Sequence, residues 1–412
     1  MVRYAIVGAG IRGNAYAEWI GRNPDRARIA AVADPRDHRR DALAGRYDVP
    51  HVFHDWQELA AAPRLADAVI VSTQDAQHLE PARALAGKGY HVLMEKPIAP
   101  TQEACVELVD AVTAAGVLFG VCHVMRYRPY TRLVKQLVED GRLGDVVSVQ
   151  HVEPVGFWHQ AHSYVRGNWR RTDTASFMLL SKSCHDIDWL HHIVGRRIER
   201  VASFGSLRHF RAAERPAGAA DRCLDCAVEP DCPYSAPKLY LGMVRAGRTG
   251  WPVRVLTDDV TEASVTAALR DGPYGRCVYA CDNDVVDHQV VAMEFAGGAT
   301  ATFTMTAFTP QADRRTQIFG TRGFLDGDGN TVRIHDFLTG DTSSIDVPAG
   351  GLDAAEGHAG GDEGLMSAFT SAVESGDASH ILSGPAESLA SHLAVFAAER
   401  ARLSGTVEQV RA

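Results

Sequence analysis

The chain contains few cysteines and no long hydrophobic run. Eight cysteines in 412 residues are too few for a secreted disulfide scaffold, and no stretch of about 18 uninterrupted apolar residues is present to span a bilayer. Strand-like residues begin at Val2, which leaves no room for a secretory signal. We therefore expect a cytoplasmic protein that has no membrane partner and whose cysteines are free thiols or metal ligands.

An excess of positive charge is also missing. The 42 Lys and Arg residues are outnumbered by 51 Asp and Glu residues, so the net charge is −9. No general field attracts a nucleic-acid backbone, and we expect no nucleic-acid partner. Hydrophobic residues make up 46% of the chain, which excludes disorder, and its length predicts two or three domains.

The first part of the chain alternates buried strands with helices. Apolar runs that fit strands of a parallel sheet lie at 4–7, 29–33, 69–72, 91–94 and 117–122. Helix candidates lie between them, for example at 15–20 and 101–115. This order predicts an α/β domain, a doubly wound parallel Rossmann sheet, over residues 1–123.

The remaining residues, 124–412, have a different pattern. A helix at 130–139 and a strand at 146–153 are followed by a hairpin at 290–305, further strands around Gln317, Phe324, Val332 and Ile345, and two amphipathic helices. We expect a second, α+β domain with an open, mostly antiparallel sheet that serves substrate binding and oligomerisation. Residues from about 211 to 260 have weak periodicity and predict a Cys-containing insertion.

A glycine motif follows the first strand directly. Gly8, Gly10 and Gly13 form G-x-G-x-x-G before a helix, an arrangement that holds a pyrophosphate at the helix N-terminus. Asp34 ends the second strand, where a carboxylate accepts hydrogen bonds from ribose hydroxyls and repels a 2′-phosphate. The pattern favours NAD. NADP is the weaker alternative, in which one of Arg36, Arg39 and Arg40 would hold the phosphate.

A second motif, Glu95-Lys96-Pro97, follows the strand at 91–94 and so lies at the carboxyl edge of the sheet, where ligands bind. A lysine beside an oxidised nicotinamide ring is disposed to lose its proton and act as a general base. The alternative is a surface lysine before a turn.

Together these motifs resemble the glucose–fructose oxidoreductase and inositol dehydrogenase family, Gfo/Idh/MocA. The match is carried by VGAGIRG at 7–13, Asp34, STQDAQH at 72–78, EKP at 95–97, NWR at 168–170 and CHDID at 184–188. The resemblance implies a Rossmann domain joined to an open-faced sheet, oxidation of sugar or cyclitol hydroxyls, Lys96 as acid/base residue and His185 as its helper. Many relatives carry Asp four residues before that histidine; this chain has Ser181.

The resemblance and the motifs define two predicted sets of site residues. The cofactor set is Gly8, Gly10, Ile11, Arg12, Gly13, Asp34, Ser72, Thr73, His78, Glu95, Lys96, Trp169 and Arg170. The substrate set is Lys96, His123, Arg126, His162, Tyr164, Arg166, Trp169, Lys182, His185, His288 and His358. Cations among the latter favour an anionic sugar. A glycine loop carries His358 and Asp362 and is suited to a lid, or Asp362 simply caps the next helix.

The predicted function is NAD-dependent oxidation of a sugar, sugar derivative or cyclitol hydroxyl, by a homodimer or homotetramer assembled through the open sheet. An NAD-dependent glycosidase is the first alternative: transient oxidation, elimination, water addition and re-reduction would hydrolyse a glycoside, for example an anionic or sulfonated one. A non-catalytic NAD-containing binding protein is the second alternative.

Three of the cysteines cluster in the irregular insertion. Cys223, Cys226 and Cys232 form C-x2-C-x5-C, and Cys277 is the best fourth ligand for a structural zinc. Because the spacing is not that of a standard zinc finger, reduced thiols that bind no metal remain the alternative.

Overall fold

The computed structural model describes residues 1–347 and 358–411. Within these residues the strands form a parallel sheet of six and a mixed sheet of nine. The first sheet is built from β1 (Val2–Val7), β2 (Ala27–Ala33), β3 (His51–Phe53), β4 (Ala68–Val71), β5 (His91–Met94) and β6 (Phe119–Val121). Its order, β3-β2-β1-β4-β5-β6, is that of a doubly wound dinucleotide-binding domain and confirms the predicted α/β class.

The helices of this domain lie between its strands. They are α1 (Ile11–Arg22), α2 (Asp37–Arg46), α3 (Trp56–Ala61), α4 (Leu79–Gly87) and α5 (Gln102–Ala114). The predicted start of α5 is confirmed, because the Thr101 side chain accepts a hydrogen bond from the Ala104 N–H at 3.2 Å. Strand β3 was not predicted, since it has three residues and none of them is buried.

The second sheet carries the predicted meander. Its strands are β7 (Val146–Pro154), β8 (Ile198–Ser206), β9 (His288–Phe295), β10 (Thr300–Thr306), β11 (Arg315–Gly320), β12 (Gly323–Gly327), β13 (Thr331–Asp336), β14 (Thr342–Asp346) and β15 (Glu408–Gln409). They pair antiparallel except β7 with β10, which are parallel. Gly297 and Gly298 make the β9–β10 turn with φ near +89° and +88°, which glycine adopts without strain.

The remaining helices connect and cover this sheet. They are α6 (Pro129–Glu139), α7 (Phe157–His159), α8 (Met178–Ser181), α9 (Cys184–Val194), α10 (Gly242–Arg245), α11 (Glu262–Asp271), α12 (Gly361–Ser375) and α13 (Pro385–Ser404). Residues 160–166 continue α7 as a π-helix. None of the helices in the described part of the chain combines the length and apolar character that a bilayer crossing demands.

Two boundaries differ from those predicted. Helix α12 buries Leu365, Met366 and Phe369 in the same core as β1 and α1, so the C-terminal part of the chain returns to the Rossmann sheet. The insertion occupies the whole of 207–287 between β8 and β9, beyond the predicted 211–260. The insertion extends beyond residue 260 because residues 262–271 form α11, which begins with a capping box at Thr261.

Candidate functional site

The glycine motif forms the predicted turn between β1 and α1. A Cβ on Gly8, whose φ is +98°, would lie 2.6 Å from the Ser72 carbonyl oxygen, and one on Gly13 would lie 2.0 Å from the Gly8 oxygen. A Cβ on Gly10 would meet no atom within 4 Å. Helix α1 begins at Ile11 without a side-chain cap, so its N–H groups face open space beside Gly10. This arrangement fits a pyrophosphate.

Asp34 lies at the end of β2 with 1% of its surface exposed. Its carboxylate accepts a hydrogen bond from the Ala9 N–H at 2.7 Å and two from the Arg36 guanidinium at 2.9 and 3.0 Å. Burial alone would raise the pKa of Asp34, but the hydrogen bonds from Arg36 and Ala9 hold it below its usual value. A charged carboxylate is therefore fixed beside the glycine turn, where a ribose would bind.

Three other predicted cofactor residues shape the adjoining loops. The Ser72 hydroxyl donates to the Gly8 carbonyl at 2.8 Å, and the Thr73 hydroxyl donates to the Gln77 carbonyl at 3.0 Å. The His78 ring is buried, with Nδ1 2.8 Å from the Pro97 carbonyl oxygen. His78 therefore fixes the backbone immediately after Lys96 and does not present its ring to a ligand.

Arg12 and Glu95 interact with each other at the carboxyl edge of the parallel sheet. Arg12 Nε donates to Glu95 Oε1 at 2.6 Å, and Arg12 Nη2 donates to Asp362 Oδ1 at 2.6 Å. The Tyr16 hydroxyl donates to the same Glu95 oxygen at 2.5 Å. Burial favours a protonated Glu95, but Arg12 and Tyr16 outweigh it and lower its pKa. This network joins the α1 N-terminus, the EKP motif and the start of α12.

Lys96 reaches from the end of β5 towards the second domain. Its Nζ donates to the Ser181 carbonyl oxygen at 2.6 Å, and the peptide bond to Pro97 is cis. In the described residues, no carboxylate lies within ion-pair distance of Nζ. Ser181, at the position where relatives are expected to carry Asp, therefore orients the lysine through its main chain.

His185 lies in the first turn of α9, in the same region as Lys96. Burial lowers the pKa of His185 well below its usual value, and repulsion from Lys96 and two neighbouring histidines adds to this effect. Its Nδ1 is buried without a hydrogen-bond partner in the described part of the chain. The ring centroids of His123 and His358 lie 5.7 and 6.3 Å from that of His185. His185 is therefore a neutral imidazole at neutral pH.

His123 and Arg126 lie beneath this histidine and are fully or almost fully buried. Burial lowers the pKa of His123 to about 3, although Asp188 Oδ2 lies 3.7 Å from its Nδ1. Arg126 holds both oxygens of Asp188, at 2.7 and 2.8 Å, and donates to the Leu382 carbonyl. The expected substrate contact for Arg126 does not fit this position, because its guanidinium is consumed by internal partners.

Lys182 and Tyr164, two of the predicted substrate residues, contact other side chains of the second domain. Lys182 Nζ lies 3.2 Å from Glu153 Oε1, and Arg314 Nε lies 2.6 Å from Glu153 Oε2. Tyr164 is buried, with its ring centroid 6.3 Å from that of the half-exposed Trp169.

The remaining predicted ligands have partners of their own. Arg170 pairs with Asp282 at 3.0 Å, and His288 Nδ1 lies 2.9 Å from Asp287 Oδ1. His358 Nδ1 lies 3.0 Å from Asp362 Oδ2, which places this pair on the Arg12 network. Of the predicted lid loop, 357–364, only Gly357 lies outside the described residues.

The predicted substrate role of His162 and Arg166 does not fit their positions, because both are packed against the insertion. His162 is buried, stacks on Tyr274 with centroids 4.9 Å apart and lies 2.8 Å from the Tyr240 hydroxyl. Arg166 is 1% exposed and donates to main-chain carbonyls within the insertion.

Two residues near the cleft were missed from the sequence. Arg314 is buried between Glu153 and Asp186, and its Nε lies 2.9 Å from Asp186 Oδ1. His159 is partly buried near Lys182, whose charge adds to the effect of burial in lowering the pKa of His159 well below its usual value. No motif marks Arg314. The sequence around His159 is dense in aromatic residues, but composition alone does not show which way each side chain faces.

The four predicted zinc ligands line one small cavity in the insertion, together with Arg166. Within 1–347 and 358–411, no group of three or more His, Cys, Asp or Glu side chains is already arranged to hold a metal ion. Zinc therefore stays a prediction at this point.

Comparison with known proteins supports the division seen in the fold. Residues 2–123 match a family model described as an oxidoreductase family with an NAD-binding Rossmann fold. Residues 135–378 match the model of the same family's C-terminal alpha/beta domain.

Similar curated proteins include a hydratase and a dehydrogenase. The 2,7-anhydro-N-acetylneuraminate hydratase of Escherichia coli K12 is 29% identical over 205 residues, 50% of this chain and 53% of that protein. Inositol 2-dehydrogenase 2 of Saccharopolyspora erythraea is 29% identical over 194 residues, 47% of this chain and 54% of that protein. The chain thus spans about half the length of the curated relatives it matches.

Among solved structures, levoglucosan dehydrogenase in complex with NADH and levoglucosan superposes with a TM-score of 0.73. The identity is 17%, and the match covers 100% of both chains. At this identity the match establishes a shared fold.

Proposed function

The chain belongs to the Gfo/Idh/MocA family of NAD-binding oxidoreductases, and from that premise we propose that it oxidises a hydroxyl group of a sugar or cyclitol with NAD. The observation that carries the proposal is the placement of Lys96. Its Nζ is held by the Ser181 carbonyl at 2.6 Å, at the end of β5 and beside the neutral His185. Lys96 thus lies at the carboxyl edge of the sheet that carries the glycine turn, which supports its role as the proton-transfer residue.

The residues of this chain have distinct roles in the proposed reaction. A bound dinucleotide supplies the acceptor for the hydride. Lys96 takes the proton of the substrate hydroxyl, with His185 as the helper that the family resemblance implies. Arg12 holds Glu95 and thereby fixes the backbone that carries Lys96. Asp34 binds the ribose hydroxyls next to the glycine turn.

The charge of the site favours an uncharged polyol over the anionic sugar expected from the sequence. Lys182 is paired with Glu153, and Arg126 is paired with Asp188. Arg166 is buried inside the insertion. Among the predicted substrate ligands, the cations invoked for an anionic group are therefore engaged elsewhere, and Lys96 is needed for proton transfer.

The test is a panel of sugars and cyclitols assayed for NADH formation, with the Lys96→Ala variant beside the wild type. Loss of a general acid–base group lowers turnover by about 100-fold or more. The affinity for NADH, measured by titration without substrate, is expected to stay near that of the wild type. Lys135→Ala is the matched control, because Lys135 lies on α6 and pairs with Glu139 at 3.4 Å, outside the site. Unchanged turnover in Lys96→Ala would refute the assignment.

A second candidate is a reaction in which NAD is recycled, with net hydrolysis or hydration of a glycoside or anhydro sugar. The similarity to a hydratase over half of the chain favours this candidate. The same proton-transfer residues serve both outcomes. Stoichiometric NADH supports the dehydrogenase, whereas turnover with catalytic NAD and entry of solvent deuterium beside the oxidised carbon supports the recycling reaction.

A further inference from the structure

The insertion brings four cysteine side chains around one cavity. Cys223, Cys226, Cys232 and Cys277 all line it, and its volume of about 20 Å³ suits a single ion or water molecule. They come from three separate turns of the chain. An antiparallel bridge between the residues preceding Cys223 and Cys277 brings those two together, and the Cys277 N–H donates to the Asp221 carbonyl at 2.8 Å.

Arg166 is a buried cation at the edge of the same cavity. It is 1% exposed, its Nη2 lies 3.5 Å from the Cys223 sulfur, and its Nη1 has no hydrogen-bond partner among the described residues. No carboxylate in the described ranges forms an ion pair with it. Glu229 also lines the cavity, but its carboxylate accepts a hydrogen bond from Ser235. A buried arginine is costly unless a negative group lies close by.

From the four sulfurs and this unpaired charge, we propose that the insertion holds a structural zinc ion ligated by Cys223, Cys226, Cys232 and Cys277, with Arg166 as its counter-charge. On binding, four S–H bonds break, four Zn–S bonds form and four protons are released, so the centre carries two negative charges. Within the described residues no three of these side chains are placed to hold a metal ion, so ligation would draw the sulfurs inward over the cavity. This site is separate from the cleft and goes beyond the proposed function.

The zinc would fasten a segment with little apolar core of its own. The insertion buries only small clusters, such as that around Tyr240, Val253 and Leu269. Arg166 ends the π-helix whose other end adjoins His159, which lies near Lys182. The centre therefore holds the end of a helix that borders the substrate cleft, while taking no part in proton transfer.

The first experiment measures metal in the full-length protein, purified without chelators and without a metal-affinity column. Elemental analysis is expected to give about one zinc ion per chain. Exchange of that zinc for Co²⁺ is expected to give the intense sulfur-to-metal charge-transfer absorption of a tetrahedral thiolate site. Absence of stoichiometric zinc, iron in its place, or a cobalt spectrum without thiolate bands would overturn the proposal.

The second experiment uses matched cysteine variants. Cys223→Ser and Cys232→Ser are expected to lose zinc, whereas Cys281→Ser keeps it, because the Cys281 thiol donates to the Cys277 carbonyl and does not line the cavity. Arg166→Met is expected to speed zinc release to a chelator by about 10-fold or more, the usual effect of removing an outer partner of a metal site. Zinc retained in Cys232→Ser, or lost equally in Cys281→Ser, would contradict the ligand set. The cobalt spectrum of the wild type decides the matter if a variant does not fold.

Discussion

Replacement of Asp34 by asparagine tests the cofactor preference without disturbing the fold. Asp34 accepts hydrogen bonds from the Ala9 N–H and from Arg36, and its charge faces the place of the ribose. The asparagine side-chain oxygen still accepts from Ala9, so this buried N–H keeps its partner. An alanine would leave it unpaired, at a cost of about 1–3 kcal/mol.

The effect on binding follows from the lost charge. A hydrogen bond to a charged group contributes about 1.5–3 kcal/mol, so we expect Asp34→Asn to bind NADH roughly 10- to 150-fold more weakly. The same change removes the repulsion of a 2′-phosphate and frees Arg36, which matches a phosphate well. NADPH binding is therefore expected to strengthen while NADH binding weakens.

Both affinities are measured by fluorescence titration of NADH and NADPH, which requires no knowledge of the substrate. The double variant Asp34→Asn with Arg36→Ala is the control: it should keep the loss of NADH affinity and cancel the gain for NADPH. A ratio of the two affinities in Asp34→Asn that equals that of the wild type would refute the role given to Asp34. So would a wild type that prefers NADPH tenfold.

Three further predictions concern the Arg12 network, pH and assembly. Asp362→Asn weakens the ion pair with Arg12, so it should lower the free energy of unfolding by about 1.5–3 kcal/mol and reduce turnover. Denaturant unfolding and steady-state kinetics measure the two effects, and an unchanged unfolding midpoint would contradict the prediction. Burial lowers the pKa of His123 to about 3 in the folded protein, whereas the unfolded chain has a pKa near 6.5. The contribution of His123 to the free energy of unfolding is therefore fully present above pH 6.5 and is lost as the pH falls towards 3, by about 1.4 kcal/mol per pH unit. Melting temperatures should therefore fall steeply below pH 6.5 and less steeply in His123→Gln, and equal slopes would sink the assignment. We also propose that the open face of the second sheet is a subunit interface, because Phe204 is 70% exposed on β8. Phe204→Asp should give a smaller species in light scattering, whereas Leu338→Asp, 93% exposed on a turn, should not.

The fold could be predicted because its signals are local. Five of the six parallel strands are largely buried, and the turn at Gly297 and Gly298 lies between two alternating strands. What failed was also local in cause. Strand β3 is short and exposed, and α12 carries an ordinary amphipathic pattern that does not say which domain it covers. Its contacts with Tyr4, through Thr370 at 2.8 Å, join positions 366 residues apart.

The site was predictable only where a motif carried a side chain to the sheet edge. Gly8, Asp34 and Lys96 each follow a strand, and the carboxyl ends of parallel strands meet at one edge. Arg166 shows the opposite case. The residues around it are dense in polar and aromatic types, which favoured a substrate pocket, but a π-helix turns its guanidinium into the insertion. Composition therefore indicated that the segment has a function and did not indicate which way each side chain faces.

The Arg12 network joins the start of α1 and the start of α12 at the candidate active site. Arg12 at the start of α1 contacts both Glu95 and Asp362, and His358 lies between Asp362 and His185. A change at the start of α12 therefore affects both the backbone of the Glu95-Lys96-Pro97 motif and the position of the His185 ring. Since Lys96 has a main-chain carbonyl where relatives are expected to carry a carboxylate, its position depends on this surrounding network more than on a charged partner. We therefore expect Asp362→Asn to alter turnover more than the affinity for NADH.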